Sequence, residues 1–172
     1  MNAVSALRAG DTLCLRGGTY DQALDTNYLP IASGTDWDNN PITITSAPGE
    51  KAILKPSGEF VARIAASTPY PKLEYIILDG LVFDGSNLST TPSHLIMSIG
   101  GEGGTQTTAS HIRVINSELI NAPDGYFIFV GWYATDIQFI NNKLHESYPS
   151  NLASGAGGTG CGQSACWGYP MY

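Results

Sequence analysis

The sequence predicts an all-β fold, a parallel β-solenoid of about five coils, from three observations. A short apolar pattern recurs along the chain, turn-forming residues follow each copy, and no stretch shows helical hydrophobic period long enough for a crossover helix. Short strands that recur without helices cannot bury an apolar face alone, so each copy must stack on the next. We therefore expect a single domain over residues 1–172.

The repeat consists of two apolar residues spaced by two, followed by a third apolar or aromatic residue. Spacing by two marks a strand with one buried face, and the third residue opens another short strand after a corner. The successive copies begin 25 to 36 residues apart. The triplets are Leu13/Leu15/Tyr20, Ile42/Ile44/Ile53, Ile76/Leu78/Phe83, Ile112/Val114/Leu119 and Ile137/Phe139/Leu144.

Residues that accept a left-handed backbone lie at one corner of these copies. Gly17, Gly80, Asn116 and Asn141 each come four residues after the first strand position. Glycine and asparagine tolerate the positive φ that a sharp bend needs. Asparagines on neighbouring coils can also form a side-chain ladder, so we interpret Asn116 and Asn141 as corner residues rather than ligands.

Three segments carry a resemblance to a known family: ALRAGDTLCLRGGTY at 6–20, SGT at 33–35 and PITITSAPGEKAIL at 41–54. They resemble the right-handed parallel β-helix superfamily that includes pectate lyases, chondroitinase B-like lyases and alginate lyases. The resemblance implies a right-handed β-helix with three short sheets and a short amino-terminal capping helix from Asn2 to Leu7. It also implies a polysaccharide partner and a secreted or periplasmic location. The matching residues build corners and core, so they indicate a fold more than an activity.

Charge and hydropathy exclude two classes of partner. The net charge is −7 with 8 basic residues, whereas nucleic-acid binding needs a basic patch. The longest apolar run, YFIFV at 126–130, is too short to span a membrane, and no signal peptide is present in this chain. We therefore expect neither nucleic-acid nor membrane binding.

The two ends of the sequence suggest a fragment truncated at one or both ends. MNAVSALRAGDTL at 1–13 is typical of the tail of a capping helix, and GYPMY at 168–172 matches the opening of GYFIF at 125–129. Uncapped solenoid ends expose strand edges, so we expect end-to-end self-association.

The segments that precede each repeat form a further sheet, the first in each coil. It comprises 60–66, 94–100, 126–130 and 168–172, and its inward positions are Ala62, Ile64, Met97, Ile99, Ile128 and Val130. The residues between them point outward as a column of Arg63, Ser98, Phe129 and Tyr172. The resemblance implies that a substrate groove runs along this sheet.

This column supplies the candidate chemistry. The resemblance implies β-elimination on a glycan that contains uronic acid, in which Arg or Lys removes a proton and calcium often neutralises the carboxylate. Arg63 is the candidate base and Lys72, expected in the adjoining loop, its helper; an Arg that solubilises an exposed strand is the alternative. Asp36 and Asp38, which flank Trp37, are candidates for calcium or sugar binding, or else turn formers.

Glycoside hydrolysis is an alternative that needs two carboxylates across the scissile bond. The candidates are Asp36, Asp38, Glu59, Glu102 and Asp124, and no two of them lie on the outward first sheet. Aromatic residues are a better indication, since flat rings stack on sugars, although loop packing explains them equally. The predicted substrate-binding residues are Ser98, Glu102, Phe129, Trp132, Tyr133, Trp167 and Tyr172.

Cysteine and histidine spacing does not indicate a metal site. Cys161 and Cys166 lie in a Gly-rich loop and favour a local disulfide in an exported protein, with two free thiols as the alternative. Cys14 points away from the core pair, and we expect a packed free thiol. The histidines, His94, His111 and His145, lack metal-ligand spacing and are interpreted as structural.

The sequence therefore favours a polysaccharide lyase-like β-helix. A second hypothesis is a non-catalytic solenoid that binds carbohydrate, acts as an adhesin or assembles with itself. Glycoside hydrolysis is the third.

Overall fold

The computed structural model describes residues 2–27, 30–66, 72–89, 95–100, 108–122, 126–131 and 133–147. Within these ranges the chain forms a short helix, α1, followed by fourteen strands. Their bounds are α1 Asn2–Ser5, β1 Thr12–Leu15, β2 Gly18–Tyr20, β3 Leu24–Asp25, β4 Ile42–Ser46, β5 Ala52–Leu54, β6 Phe60–Ile64, β7 Lys72–Asp79, β8 Val82–Asp84, β9 Leu95–Ile99, β10 Thr108–Ile115, β11 Glu118–Ala122, β12 Ile128–Val130, β13 Ala134–Ile140 and β14 Lys143–Ser147.

The strands form three parallel sheets that the chain visits in rotation. Sheet A has the order β1-β4-β7-β10-β13, sheet B runs β2-β5-β8-β11-β14, and sheet C runs β3-β6-β9-β12. Each complete coil thus contributes one strand to each sheet, and neighbouring coils pair in parallel. The predicted all-β solenoid with three sheets is confirmed, and sheet C is the predicted first sheet.

Helix α1 closes the amino-terminal end of the core. Val4 is fully buried and Leu7 is nearly so. The α-helix ends at Ser5, earlier than predicted, because Ala6 and Leu7 donate to Ala3 and Val4, three residues back, in a tighter turn. In the described part of the chain, no helix is long and apolar enough to cross a membrane.

The core lies inside the three sheets and consists of stacked aliphatic columns. In sheet A, Ile42, Ile76, Ile112 and Ile137 lie side by side as the repeat predicts. The first copy is displaced, however, because Leu13 pairs with Ile44 instead of Ile42. A shift by two keeps the same face inward, so the apolar pattern does not distinguish the two registers.

Sheet B contains a second correction. Leu54, not Ile53, continues the inward column, since Leu54 pairs with both Tyr20 and Phe83. Ala52 and Leu54 are 0% and 1% exposed, whereas Ile53 between them is partly exposed. The corner before β5 is longer than in the other copies, and one extra residue exchanges the two faces of a strand.

The predicted asparagine ladder is present at the corner between sheets A and B. Asn141 donates from Nδ2 to Asn116 Oδ1 at 2.8 Å, and Asn116 donates to Asp79 Oδ1 at 2.9 Å. Both asparagines have left-handed φ, 54° and 50°, as does Gly80 at 62°. Gly17 does not have a positive φ, and its neighbour Gly18 takes the unusual conformation instead.

Candidate functional site

The outward column of sheet C runs across four coils. Asp25 pairs in register with Arg63, Arg63 with Ser98, and Ser98 with Phe129. Arg63, Ser98 and Phe129 therefore stack in the predicted order, while Tyr172 lies outside the described residues. Sequence reasoning missed Asp25 because β3 has two residues, too few for a periodic pattern.

Arg63 is held by Asp25 at two points. Its Nε donates to Asp25 Oδ1 at 3.0 Å and its Nη2 to Oδ2 at 2.7 Å. The side chains are 13% and 14% exposed, and the guanidinium Cζ lies 5.1 Å from the centre of the Phe60 ring. The alternative of an Arg that solubilises an exposed strand is therefore wrong, because its charge is paired and largely removed from water. Its catalytic role stays a prediction.

The column is covered at its centre and open at the last described coil. Ser98 is fully buried, and among the described residues its Oγ has no hydrogen-bond partner. Val61 and Ile96 belong to the same outer face of sheet C and are also 0% exposed. Phe129 is 44% exposed, so an accessible part of this face lies near β12. An unpaired hydroxyl in a covered site is costly, and at 0% exposure Ser98 does not reach a ligand in this conformation.

Lys72 lies on a different sheet from Arg63. It is the first residue of β7 in sheet A, not part of a loop, and its Nζ lies 3.7 Å from Glu74 Oε1. Its side chain is 65% exposed. Tyr133, just before β13, is 50% exposed. The other predicted residues lie outside the described ranges: Glu102, Trp132, Cys161, Cys166, Trp167 and Tyr172.

Asp36 organises a turn instead of presenting a free carboxylate. Its Oδ1 accepts from the backbone of Asp38 and Asn39 at 3.0 and 2.7 Å, and its Oδ2 accepts from Thr35 and Asn40. The Asn39 backbone bond, followed by the Asn40 amide, lowers the pKa of Asp36 to about 2. Both oxygens accept hydrogen bonds within the loop, which fits the turn-forming alternative for Asp36; calcium binding by Asp36 and Asp38 stays a prediction. Among the described residues, no cluster of three His, Cys, Asp or Glu side chains is placed to hold a metal ion.

The structure also shows the surroundings of His145, His111 and Cys14. His145 Nε2 lies 2.7 Å from Glu118 Oε1, and this hydrogen bond is the main cause of the lowered pKa of Glu118. His111 stacks on Tyr75 in sheet A, and His94 lies outside the described residues. Cys14 is an exposed free thiol and not a packed one.

Comparison with known proteins supports the β-helix fold. No protein-family model matches the chain, and no curated protein matches its sequence. Among solved structures, the PL6 family alginate lyase AlyGC matches with a TM-score of 0.55 and 20% identity over 84% of this chain. A mutant of the same enzyme matches with a TM-score of 0.59 and 19% identity, also over 84% of this chain. The chain spans 18% of the length of either one. It has the parallel β-helix fold of these alginate lyases.

Proposed function

We propose that the chain forms part of an extracellular, polysaccharide-active β-helix protein that resembles a polysaccharide lyase. Its substrate would be a glycan containing uronic acid, cleaved by β-elimination. The observation that carries this proposal is the Asp25–Arg63 pair on sheet C, in a fold shared with an alginate lyase.

The geometry of Arg63 suits recognition of a uronate. A planar guanidinium binds a carboxylate through two parallel hydrogen bonds, which is how Arg63 holds Asp25. A uronate carboxylate that displaced Asp25 would receive the same two bonds. In β-elimination, neutralising that carboxylate stabilises the negative charge that develops when the neighbouring carbon loses its proton. Arg63 is thus better placed to neutralise the carboxylate than to act as the predicted base.

The residue that would remove the proton in β-elimination has weaker support. Lys72 is the second predicted candidate, but it lies on sheet A and its described ionic partner is Glu74. Sugar binding would use the exposed rings of Phe129 and Tyr133, whereas the predicted contact at Ser98 would require its cover to move, because Ser98 is fully buried. The predicted contributions of Glu102, Trp132, Trp167 and Tyr172 belong to the same proposal.

The test is an assay for lyase products on alginate and on polygalacturonate. Elimination creates an unsaturated uronide, whose conjugated double bond absorbs ultraviolet light, whereas hydrolysis creates reducing ends without that absorbance. Arg63→Ala should abolish the ultraviolet signal, and Arg63→Lys should retain a small part because lysine keeps the charge but not the two-point geometry. Arg16→Ala, at an Arg whose side chain is 80% exposed, is the matched control.

Two outcomes would contradict the proposal. Full activity of Arg63→Ala would remove Arg63 from the reaction. New reducing ends without ultraviolet absorbance would favour the glycoside hydrolase. Repeating the assay with a chelator and with added Ca²⁺ tests the predicted calcium requirement, for which Asp36 and Asp38 are the predicted ligands.

A non-catalytic solenoid is the second candidate. It is favoured by the commitment of Arg63 to Asp25 and by the exposed apolar residues on the last described coil, which are Tyr126, Phe129, Val130, Tyr133 and Ile140. Exposed apolar surface beside strand edges favours end-to-end self-association. Sedimentation at increasing protein concentration, together with absence of activity on both polysaccharides, would support this alternative.

A further inference from the structure

A second cluster of aromatic and polar residues lies on the outer side of sheet A. It joins a loop to strands from three successive coils. We call it the sheet A patch, and it consists of Trp37, Tyr75, His111, Arg113, Asp136 and Gln138.

Its aromatic part is built by ring contacts between coils. The rings of Tyr75 and His111 stack with centroids 4.4 Å apart and planes 20° apart. Trp37 meets them edge-on, at 5.2 Å from Tyr75 and 6.2 Å from His111. The guanidinium Cζ of Arg113 lies 3.8 Å from the centre of the Trp37 ring. Planar groups from three parts of the chain thus pack into one cluster, in which Arg113 covers one face of Trp37 and the three rings stay partly exposed.

The backbone bends at the same position in three coils to build this surface. Tyr75, His111 and Asp136 have φ of 56°, 55° and 50°, although none is glycine or asparagine. The strand pairing stays regular on either side of this bend, because Ser110 pairs with Glu74 and Ile112 with Ile76. Histidine and aspartate accept this φ more often than most residues, so the strain falls mainly on Tyr75. The three bends stack in register, which places Tyr75, His111 and Asp136 side by side on the outer face of sheet A.

The loop that carries Trp37 is held firmly in place. The carboxylate of Asp36 binds four neighbouring groups, and Gly34 donates to the Glu74 carbonyl at 2.8 Å. A Cβ at Gly34 would lie 2.6 Å from the Tyr75 carbonyl oxygen, so the loop approaches β7 as closely as glycine allows. A preorganised aromatic side chain loses little entropy when it binds a ligand.

Several hydrogen-bonding groups of the patch have no partner within the described ranges. Arg113 donates from Nε to Gln138 at 3.0 Å, and within the described ranges its terminal nitrogens donate no hydrogen bond. Asp136 accepts from Gln138 at 2.7 Å and is 40% exposed. His111 Nε2 lies 3.7 Å from Asp136, too far for a hydrogen bond, and its buried Nδ1 has no partner within the described ranges. Donors and an acceptor therefore surround the aromatic surface.

We propose that the sheet A patch is a glycan-binding subsite for an uncharged pyranose residue. The carbon–hydrogen face of a sugar ring packs on aromatic surface, while Arg113 and Asp136 offer a donor and an acceptor to its hydroxyls. The opposite charges of these two residues balance, and the chain as a whole carries −7, so the patch does not favour a polyanion. This subsite lies on a different sheet from Arg63 and does not depend on the proposed lyase function.

Isothermal titration of the purified chain with cellohexaose, xylohexaose and mannohexaose tests the proposal, with an alginate hexamer as the acidic counterpart. At least one neutral sugar should bind, and Trp37→Ala should weaken that binding by roughly tenfold, the loss of one stacking contact. Arg113→Lys should weaken it several-fold, because lysine lacks the planar donor arrangement. Tyr126→Ala, at an exposed aromatic outside the patch, is the matched control and should leave the affinity unchanged.

Asp136→Asn is a second variant, chosen to keep the fold in case another substitution disturbs it. Asparagine tolerates the left-handed φ of this position and removes the charge that accepts a sugar hydroxyl, so affinity should again fall several-fold. Circular dichroism confirms the fold of each variant. The proposal is overturned if no neutral hexasaccharide binds, if the acidic hexamer alone binds, or if well-folded Trp37→Ala and Asp136→Asn both keep full affinity. The ultraviolet lyase assay is a separate readout, so either proposal can fail without the other.

Discussion

Replacing Asp25 by alanine should destabilise the solenoid strongly, because it leaves the Arg63 guanidinium without the carboxylate that holds it. The two side chains are 14% and 13% exposed and share bonds of 3.0 and 2.7 Å. Removing one partner of a buried ion pair costs about 3–5 kcal/mol, since the remaining charge stays desolvated. The residual exposure places Asp25→Ala at the lower end, about 3 kcal/mol.

Urea unfolding followed by circular dichroism measures this loss. With a slope of about 2 kcal/mol per molar urea, a loss of 3 kcal/mol lowers the unfolding midpoint by about 1.5 M. The double variant Asp25→Leu/Arg63→Met should recover most of the stability, because apolar side chains of similar size avoid the desolvation of two charges. Glu50→Ala, which removes the ion-pair partner of the exposed Arg16, is the matched control and should shift the midpoint much less.

A midpoint shift below about 0.5 M for Asp25→Ala would refute this reasoning, since it corresponds to about 1 kcal/mol, the value of a surface pair. A double variant no more stable than Asp25→Ala would refute the desolvation argument separately. The same variant informs the functional proposal. Because Asp25→Ala leaves the guanidinium available to a uronate, it should tighten alginate binding wherever the fold survives.

Three further predictions concern the corners, the Trp37 loop and acid stability. Asn116→Ala should cost about 2 kcal/mol in urea unfolding, from the left-handed φ and the lost ladder bonds, whereas Asn116→Gly should cost about 1 kcal/mol; equal losses would contradict the φ argument. Gly34→Ala should cost about 2–3 kcal/mol because its Cβ would meet the Tyr75 carbonyl, and an unchanged melting temperature would contradict that contact. The hydrogen bond from His145 lowers the pKa of Glu118 below 4.5, so its stabilisation is complete above pH 4.5 and is lost as the pH falls through the folded-state value. Glu118→Gln should therefore flatten the decline of urea stability in acid, and an unchanged slope would exclude Glu118 as its source.

The repeat was readable in the sequence because its determinants are local. Alternation by two marks a strand, and an asparagine such as Asn116 marks a corner, whatever the rest of the chain does. Errors arose where the local pattern is degenerate. Leu13 shifted by two residues without changing face, and the corner before β5, five residues long instead of two, put Leu54 on the inward face in place of Ile53.

The sequence predicted the order of the residues in the candidate site but not their burial or their charge pairing. Alternation placed Arg63, Ser98 and Phe129 in one outward column, which the register confirms. It carried no information on what covers that column or on its charge partner. Asp25 lies 38 residues from Arg63 and belongs to a strand of two residues, so no periodic signal indicated it.

The sequence by itself determined that this protein is a stack of short parallel strands, since strand alternation and left-handed corners arise from interactions within a few residues. The tertiary structure decided which outward side chains meet water, how Arg63 is paired, and that Trp37 meets Arg113 across the coils. The physical reason is that burial and ion pairing depend on neighbours one or more coils away, and loops of unequal length set those neighbours.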